Sequence, residues 1–209
     1  MSVELFTRHF LGSFFLLIGT LFTARALGLY ARLGFSHINY GKRGSSAWWN
    51  RQFFNGFRAA ILGVCLARIV WPIDAWLGII PVLYQPPILL LGVVTLIACF
   101  GRASYLQAYL HTDWRSGIDE EHKPGLVTNG PYAHSRNPLF LAIMGGQAGF
   151  FLALPSLFSL VCLIAGILVL RRQAALEESA LEHLYGQPYT EYRHQVSRWL
   201  GRPRTAQGR

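Results

Sequence analysis

Two long apolar runs, Pro138 to Leu154 and Ser156 to Leu170, are separated by almost no chain. The joint Ala153-Leu154-Pro155-Ser156 leaves room only for a tight turn, so the two runs form one helical hairpin. Three further runs precede them, at about Phe10 to Gly34, Phe57 to Ile80 and Pro87 to Leu110. A helix needs roughly 20 predominantly apolar residues to cross a bilayer core, and four or five of these runs approach that length. Composition agrees: only 14% of the 209 residues are charged and 52% are hydrophobic, against about 25% charged in a typical soluble domain. The expected fold is an all-α integral membrane protein with about five transmembrane helices, the last two a tight hairpin. We read residues 1–209 as a single membrane domain. Residues 1–110 supply three spans, and 111–209 supply a cytosolic loop, the hairpin and a C-terminal helix extension.

Charge placement gives an orientation. With five spans and the N-terminus outside, the inner segments 35–52, 111–137 and 171–209 hold 13 of the 19 Lys and Arg residues, as the positive-inside rule requires. Phe10 to Phe22 followed by Ala24-Arg25-Ala26 resembles a signal peptide and its cleavage site. However, removing it would place the same charges outside, and Glu4 balances Arg8 ahead of it. The expectation is a multi-pass protein of a bacterial inner membrane with a cytoplasmic C-terminus. The net charge of +9 then suits anionic lipid headgroups, each basic residue near them contributing about 1 kcal/mol. The stacking-aromatic array of single-strand binders is missing, so nucleic acid is not an expected partner. Cys65, Cys99 and Cys162 stand alone in different apolar runs, as small buried hydrophobes do, and no spacing suggests a disulfide or a metal site.

The inner stretch GFSHINYGKRGSSAWWNRQFF, with Trp48-Trp49, reads as an interfacial belt. Arg25, Arg32, Arg58 and Arg102 lie toward inner span ends, where they can snorkel to headgroups. Arg68 is deeper, so it is either structural or substrate-facing. Pairing it with Asp74, six residues on, requires a kink at Pro72. After the last apolar run, Arg171 to about Tyr185 continues as helix and Gly186 with Pro188 ends it. Tyr189, Tyr192, Arg198 and Trp199 beyond read as a short amphipathic surface piece.

The stretch LVTNGPYAHSRNPLF, residues 126–140, is polar and turn-rich between apolar runs. Gly125, Gly130, Pro131 and Pro138 break any helix, leaving backbone groups that are tolerated at membrane depth only if buried in protein or lining a cavity. Asn137-Pro138 then opens a helix, whose start offers free N–H groups. The hairpin brings this loop to the level of Arg172, Glu177 and Glu178. Two carboxylates, guanidiniums and a free-backbone loop suit a zwitterionic ligand. They equally suit ordinary surface pairs such as Arg136–Glu177 or Arg172–Glu178.

The order L-V-T-x-G-P-Y, R-N-P, hairpin, E-E-x-x-L-x-x-x-Y-G-x-x-Y-x-x-Y and R-W, over residues 124–200, resembles the isoprenylcysteine carboxyl methyltransferase family, within a wider group that includes the phospholipid N-methyltransferases. The resemblance implies an integral membrane enzyme that binds S-adenosyl-L-methionine and methylates a lipid-like acceptor, with carboxyl O-methylation favoured. Leu126, Val127, Tyr132, Arg136, Asn137, Pro138, Leu139, Phe140 and Glu177 are then the implied cofactor-binding residues. Arg172 and Glu178 are the implied catalytic ones, Arg172 facing the acceptor and Glu178 beside Glu177. Two features depart from the eukaryotic prenylcysteine enzymes. Asn137 stands where those proteins have His, which removes a titratable base. Their His before L-V-T has its nearest counterpart in His122, two residues ahead of Pro124. The alternatives are a phospholipid amine N-methyltransferase, an NADPH-dependent sterol-type reductase, and a non-enzymatic membrane scaffold.

Overall fold

The computed structural model describes residues 2–34, 42–110 and 125–201. Six helices follow in order: α1 (Val3–Leu33), α2 (Ser46–Val70), α3 (Pro86–Tyr109), α4 (Pro138–Ala153), α5 (Leu157–Tyr185) and α6 (Gln187–Gln195). Among the described residues there is no strand, only an isolated antiparallel bridge between Ile79 and Ser156. By length and composition α1, α2, α3 and α5 can cross a membrane, which makes this a multi-pass membrane protein. The fifth apolar helix, α4, has 16 residues, about 24 Å, which is less than the roughly 30 Å hydrocarbon core. Its start therefore sits well below the end of α5, and the loop before it is drawn toward the membrane.

The hairpin is as the sequence predicts, and its turn is firmly tied. Ser156 caps α5 through a reciprocal hydrogen-bond pair with Ser159. Ile80 N–H and Leu157 N–H bond Pro155 O and Gly78 O, both at 2.9 Å, and so lock the α2–α3 connection onto the turn. The second span differs from expectation at both ends. It begins eleven residues ahead of Phe57, because Ser45 accepts a bond from Trp48 N–H and caps a helix there. Trp48-Trp49 is thus in the first turn of α2, not in a loop. The helix ends at Val70 because Pro72 cannot extend it, and a 3-10 turn (Ile73–Leu77) follows. Residues 35–41 of the predicted inner belt and 111–124 of the long loop lie outside the described residues.

Helices α3 and α4 meet almost backbone to backbone. A Cβ at Gly92 would overlap the Ala153 backbone, and one at Gly149 would press on Leu96 N. Small residues at a membrane helix interface permit such close approach. The core formed by Leu11, Phe14, Cys65, Leu96, Phe150 and Leu154 lies between α1–α3 and the hairpin. Leu16, Val94, Ile164 and Leu168, each more than half exposed, point outward, where a bilayer would cover them.

At the hairpin-turn end of the bundle, Arg68 is buried and its Nε lies 2.6 Å from Asp74 Oδ1. The break at Val70–Pro72 brings the two together, as the six-residue spacing requires. Arg8 of α1 reaches the same carboxylate, so Asp74 ties α1 to α2. Burial opposes the charge on Asp74, but Arg68 and Arg8 outweigh it and hold the carboxyl below its ordinary range. Arg68 lines no part of the cavity described below, and its ion pair ties the end of α2 to Asp74. Asp74→Ala leaves a buried guanidinium without its partner, which costs about 3 kcal/mol at neutral pH. A depressed folded-state pKa gives stability that is present above about pH 4 and is lost as pH falls through the lower folded value. Thermal unfolding in detergent is expected to separate the variant from wild type at neutral pH, and the gap to close in acid.

Candidate functional site

Glu178 of α5 gathers the site's framework. Arg136 approaches its carboxylate with Nη2 at 3.0 Å and Nε at 3.3 Å, and Arg198 with Nη2 at 2.8 Å and Nε at 3.0 Å. Asn137 Nδ2 adds a bond at 3.1 Å. The buried carboxylate thus has three partners from two distant segments. Arg136 Nη1 also donates to Val196 O at 2.6 Å and Arg193 O at 3.1 Å, satisfying carbonyls at the end of α6 that have no helical partner.

The loop backbone is satisfied in the same way. Arg136 N–H donates to Ser197 O at 3.0 Å, Ser135 Oγ to Arg198 O at 3.2 Å, and Tyr192 Oη to Tyr132 O at 2.7 Å. Tyr189 and Tyr192 are buried together with Val196, and Leu126 packs against them. The residues after Gly186 are therefore a clamp on the loop, not the predicted surface piece. Gly130 has φ +55°, a left-handed value that suits glycine, and a Cβ there would strike the Tyr109 ring. Tyr109 donates to Asn129 Oδ1 at 2.9 Å and stacks on Tyr132, with centroids 6.5 Å apart. Burial first, then the Glu177 charge, raises the Tyr132 phenol above its ordinary range, so it stays protonated.

Glu177 turns away from this framework, because successive helical side chains diverge by about 100°. Gln173 Nε2 holds its Oε1 at 2.8 Å, and Asn50 Nδ2 of α2 holds Gln173 Oε1 at 2.9 Å. Glu177 lines a cavity of about 850 Å³ together with Tyr132, Arg136, Asn137, Pro138, Leu139 and Phe140. The cavity continues inward between α1, α2, α3 and the hairpin to Phe14, Leu96, Phe150 and Cys162. One space therefore joins a polar mouth to an apolar interior. No side chain caps the start of α4, which leaves its first N–H groups for water or a ligand at that mouth.

Seven of the sequence-predicted residues thus share the cavity wall: Tyr132, Arg136, Asn137, Pro138, Leu139, Phe140 and Glu177. Leu126, Val127, Arg172 and Glu178 do not line it. Leu126 belongs to the tyrosine cluster, Val127 is half-buried in the loop, Arg172 is exposed, and Glu178 is buried in its ion pairs. Sequence reasoning missed Asn50, Arg51, Gln147 and Gln173, all on the wall. The available signal was a polar residue inside an apolar helical run.

A helical membrane protein with a polar mouth opening on an apolar cavity suits an amphipathic substrate, and the comparisons narrow the class. Residues 87–188 match the sequence model of the phospholipid methyltransferase family. That segment is similar to the isoprenylcysteine/phospholipid methyltransferase group, which suggests a membrane methyltransferase. No curated protein and no solved structure matches the chain.

Glu178→Ala leaves Arg136 buried and uncompensated, at a cost of about 3 kcal/mol, on the order of a hundredfold in local opening of the clamp. Limited trypsin digestion is expected to cut at Arg193 and Arg198 that much faster. Unchanged cleavage would show that the clamp does not depend on the carboxylate.

Proposed function

We propose that the chain transfers a methyl group from S-adenosyl-L-methionine to a lipid-like acceptor at the cytosolic membrane face, with the N-terminus outside, in a bacterial inner membrane. The observation that carries this reading is the single cavity joining Glu177, Tyr132 and Asn137 to an apolar interior. When bound, the cofactor supplies a sulfonium-borne methyl group. The mouth residues fit such a group. Glu177, fixed by Gln173 and Asn50, can hold an ammonium or a ribose hydroxyl. The uncapped start of α4 can receive a carboxylate, and the Tyr132 ring offers a flat face.

Acceptor selection falls to the deeper wall. Arg25, Arg51 and Arg58 line the cavity, against Glu177 as the lining carboxylate. That balance suits an acceptor with an anionic group, a carboxylate or a phosphate. A carboxylate is already ionised at neutral pH and needs no base, which accords with Asn137 being unable to titrate. Transfer then rests on proximity and orientation. Arg51 takes the acceptor-facing place that the resemblance assigns to Arg172, and Glu178 acts by holding Arg136 in the clamp and positioning Asn137. Anionic headgroups meet the inner basic rim. The match to a phospholipid methyltransferase family favours a second reading, methylation of a phospholipid amine, which the same cavity accommodates.

Equilibrium binding to detergent-purified protein tests the cofactor, with NADPH run in parallel. S-adenosyl-L-methionine is expected to bind in the micromolar range. Glu177→Ala is expected to weaken it about 30-fold, the loss of a charged hydrogen bond. Unaltered binding by that variant, or binding of NADPH alone, would sink the reading. Product analysis with a fatty carboxylate and a phospholipid amine then separates the two acceptors.

A further inference from the structure

Away from its mouth the cavity wall is largely apolar, with Asn55, Arg58 and Gln147 among its polar members. Gln147 of α4 lines it among Phe14, Phe15, Ile61, Leu96 and Phe150. Its Oε1 is buried with no hydrogen-bond partner. The amide lies flat against α5 at Gly166, where a Cβ would overlap it. A buried amide oxygen kept at this depth without a partner is costly, and in a membrane no water stands ready to satisfy it. Helix packing alone would be served as well by Leu or Met.

Its depth can be read on two helices. Gln147 is ten residues from Asn137 along α4, and Gly166 is eleven from Glu177 along α5. At about 1.5 Å per residue, both put the amide about 15 Å below the mouth. With carbon–carbon bonds of about 1.5 Å, an extended zigzag chain covers that distance in roughly a dozen carbons.

We infer that Gln147 is a specificity-determining residue that selects acceptor lipids bearing a hydroxyl or carbonyl roughly a dozen bonds from the methyl-accepting group, rather than lipids with a purely hydrocarbon tail. This rests on reading the cavity as the acceptor site. A hydroxyl donates and accepts, so it pairs with either end of the amide. A hydrocarbon tail of the same length leaves the amide oxygen unpaired and is selected against.

The test is equilibrium binding of radiolabelled stearate to the detergent-purified full chain, with three unlabelled competitors: stearate, stearate hydroxylated on its twelfth carbon, and stearate hydroxylated on its second carbon. Wild type is expected to bind the twelfth-carbon alcohol about tenfold more tightly than stearate, the worth of one satisfied buried hydrogen bond, and to give the second-carbon alcohol no such advantage. Gln147→Met, which keeps the volume, is expected to bind stearate as well as wild type or better, with the preference gone. Gly166→Ala, which pushes the amide aside, is expected to lose the preference while Gln147 remains. Equal binding of all three competitors by wild type, or a preference that survives both variants, overturns the inference and leaves the acceptor-cavity reading standing. No binding of stearate or of either alcohol overturns both.

Discussion

The carboxylate of Glu178 meets two guanidiniums and one amide, and the functional half of the molecule is arranged around that meeting. A charge buried this deeply has to be paired, and its partners come from residues 136–137 and from Arg198. Arg136 then has a free edge, which it spends on the last carbonyls of α6. The same two segments pair along their backbones, so the loop gains a wall of protein at the depth where α4 is too short to reach the surface. A polar, turn-rich stretch can sit between apolar helices because α6 and the residues after it satisfy its backbone. Without the clamp its N–H and C=O groups would face the membrane boundary unpaired.

Adjacent glutamates on one helix have been given opposite tasks. Glu178 faces the clamp and is consumed by it. Glu177, about 100° around the helix, is held by Gln173 and Asn50 toward the cavity. The clamp also fixes Tyr132, through the Tyr192 hydrogen bond to its carbonyl and through the stack with Tyr109. Tyr132 on the cavity wall is therefore set by Tyr192 and Tyr109, which do not line the cavity. That is how precise placement is kept on a loop.

What the sequence disclosed follows from what local chain physics can encode. The hairpin was legible because four residues between two apolar runs allow one solution. Gly186 and Pro188 marked the end of α5 at Tyr185 for similar reasons. The start of α4 at Pro138 was legible because Asn-Pro favours a helix opening, while the pocket role of residues 136–140 came from the family resemblance. The start of α2 was not legible, since the cap at Ser45 lies in a stretch whose basic and aromatic residues read equally well as an interfacial belt. Tyr189 and Tyr192 were misread as surface because their burial depends on Leu126, more than sixty residues away. Arg172 was drawn in by its nearness to the glutamates along the chain. Helical rotation turns it outward.

The matched family segment begins in α3, yet Phe14, Asn50, Arg51 and Arg58 of α1 and α2 form one side of the cavity. Loop, hairpin and glutamate pair thus lie within the matched segment, while the first two helices shape part of the cavity from outside it. Polar side chains within membrane helices are expensive and persist where they face protein or a cavity. Asn50, Gln147 and Gln173 all do so here, on three different helices around one space. A chain that only had to pack would gain by replacing them with leucine. Their presence argues that the cavity, rather than the bundle, is what their placement serves.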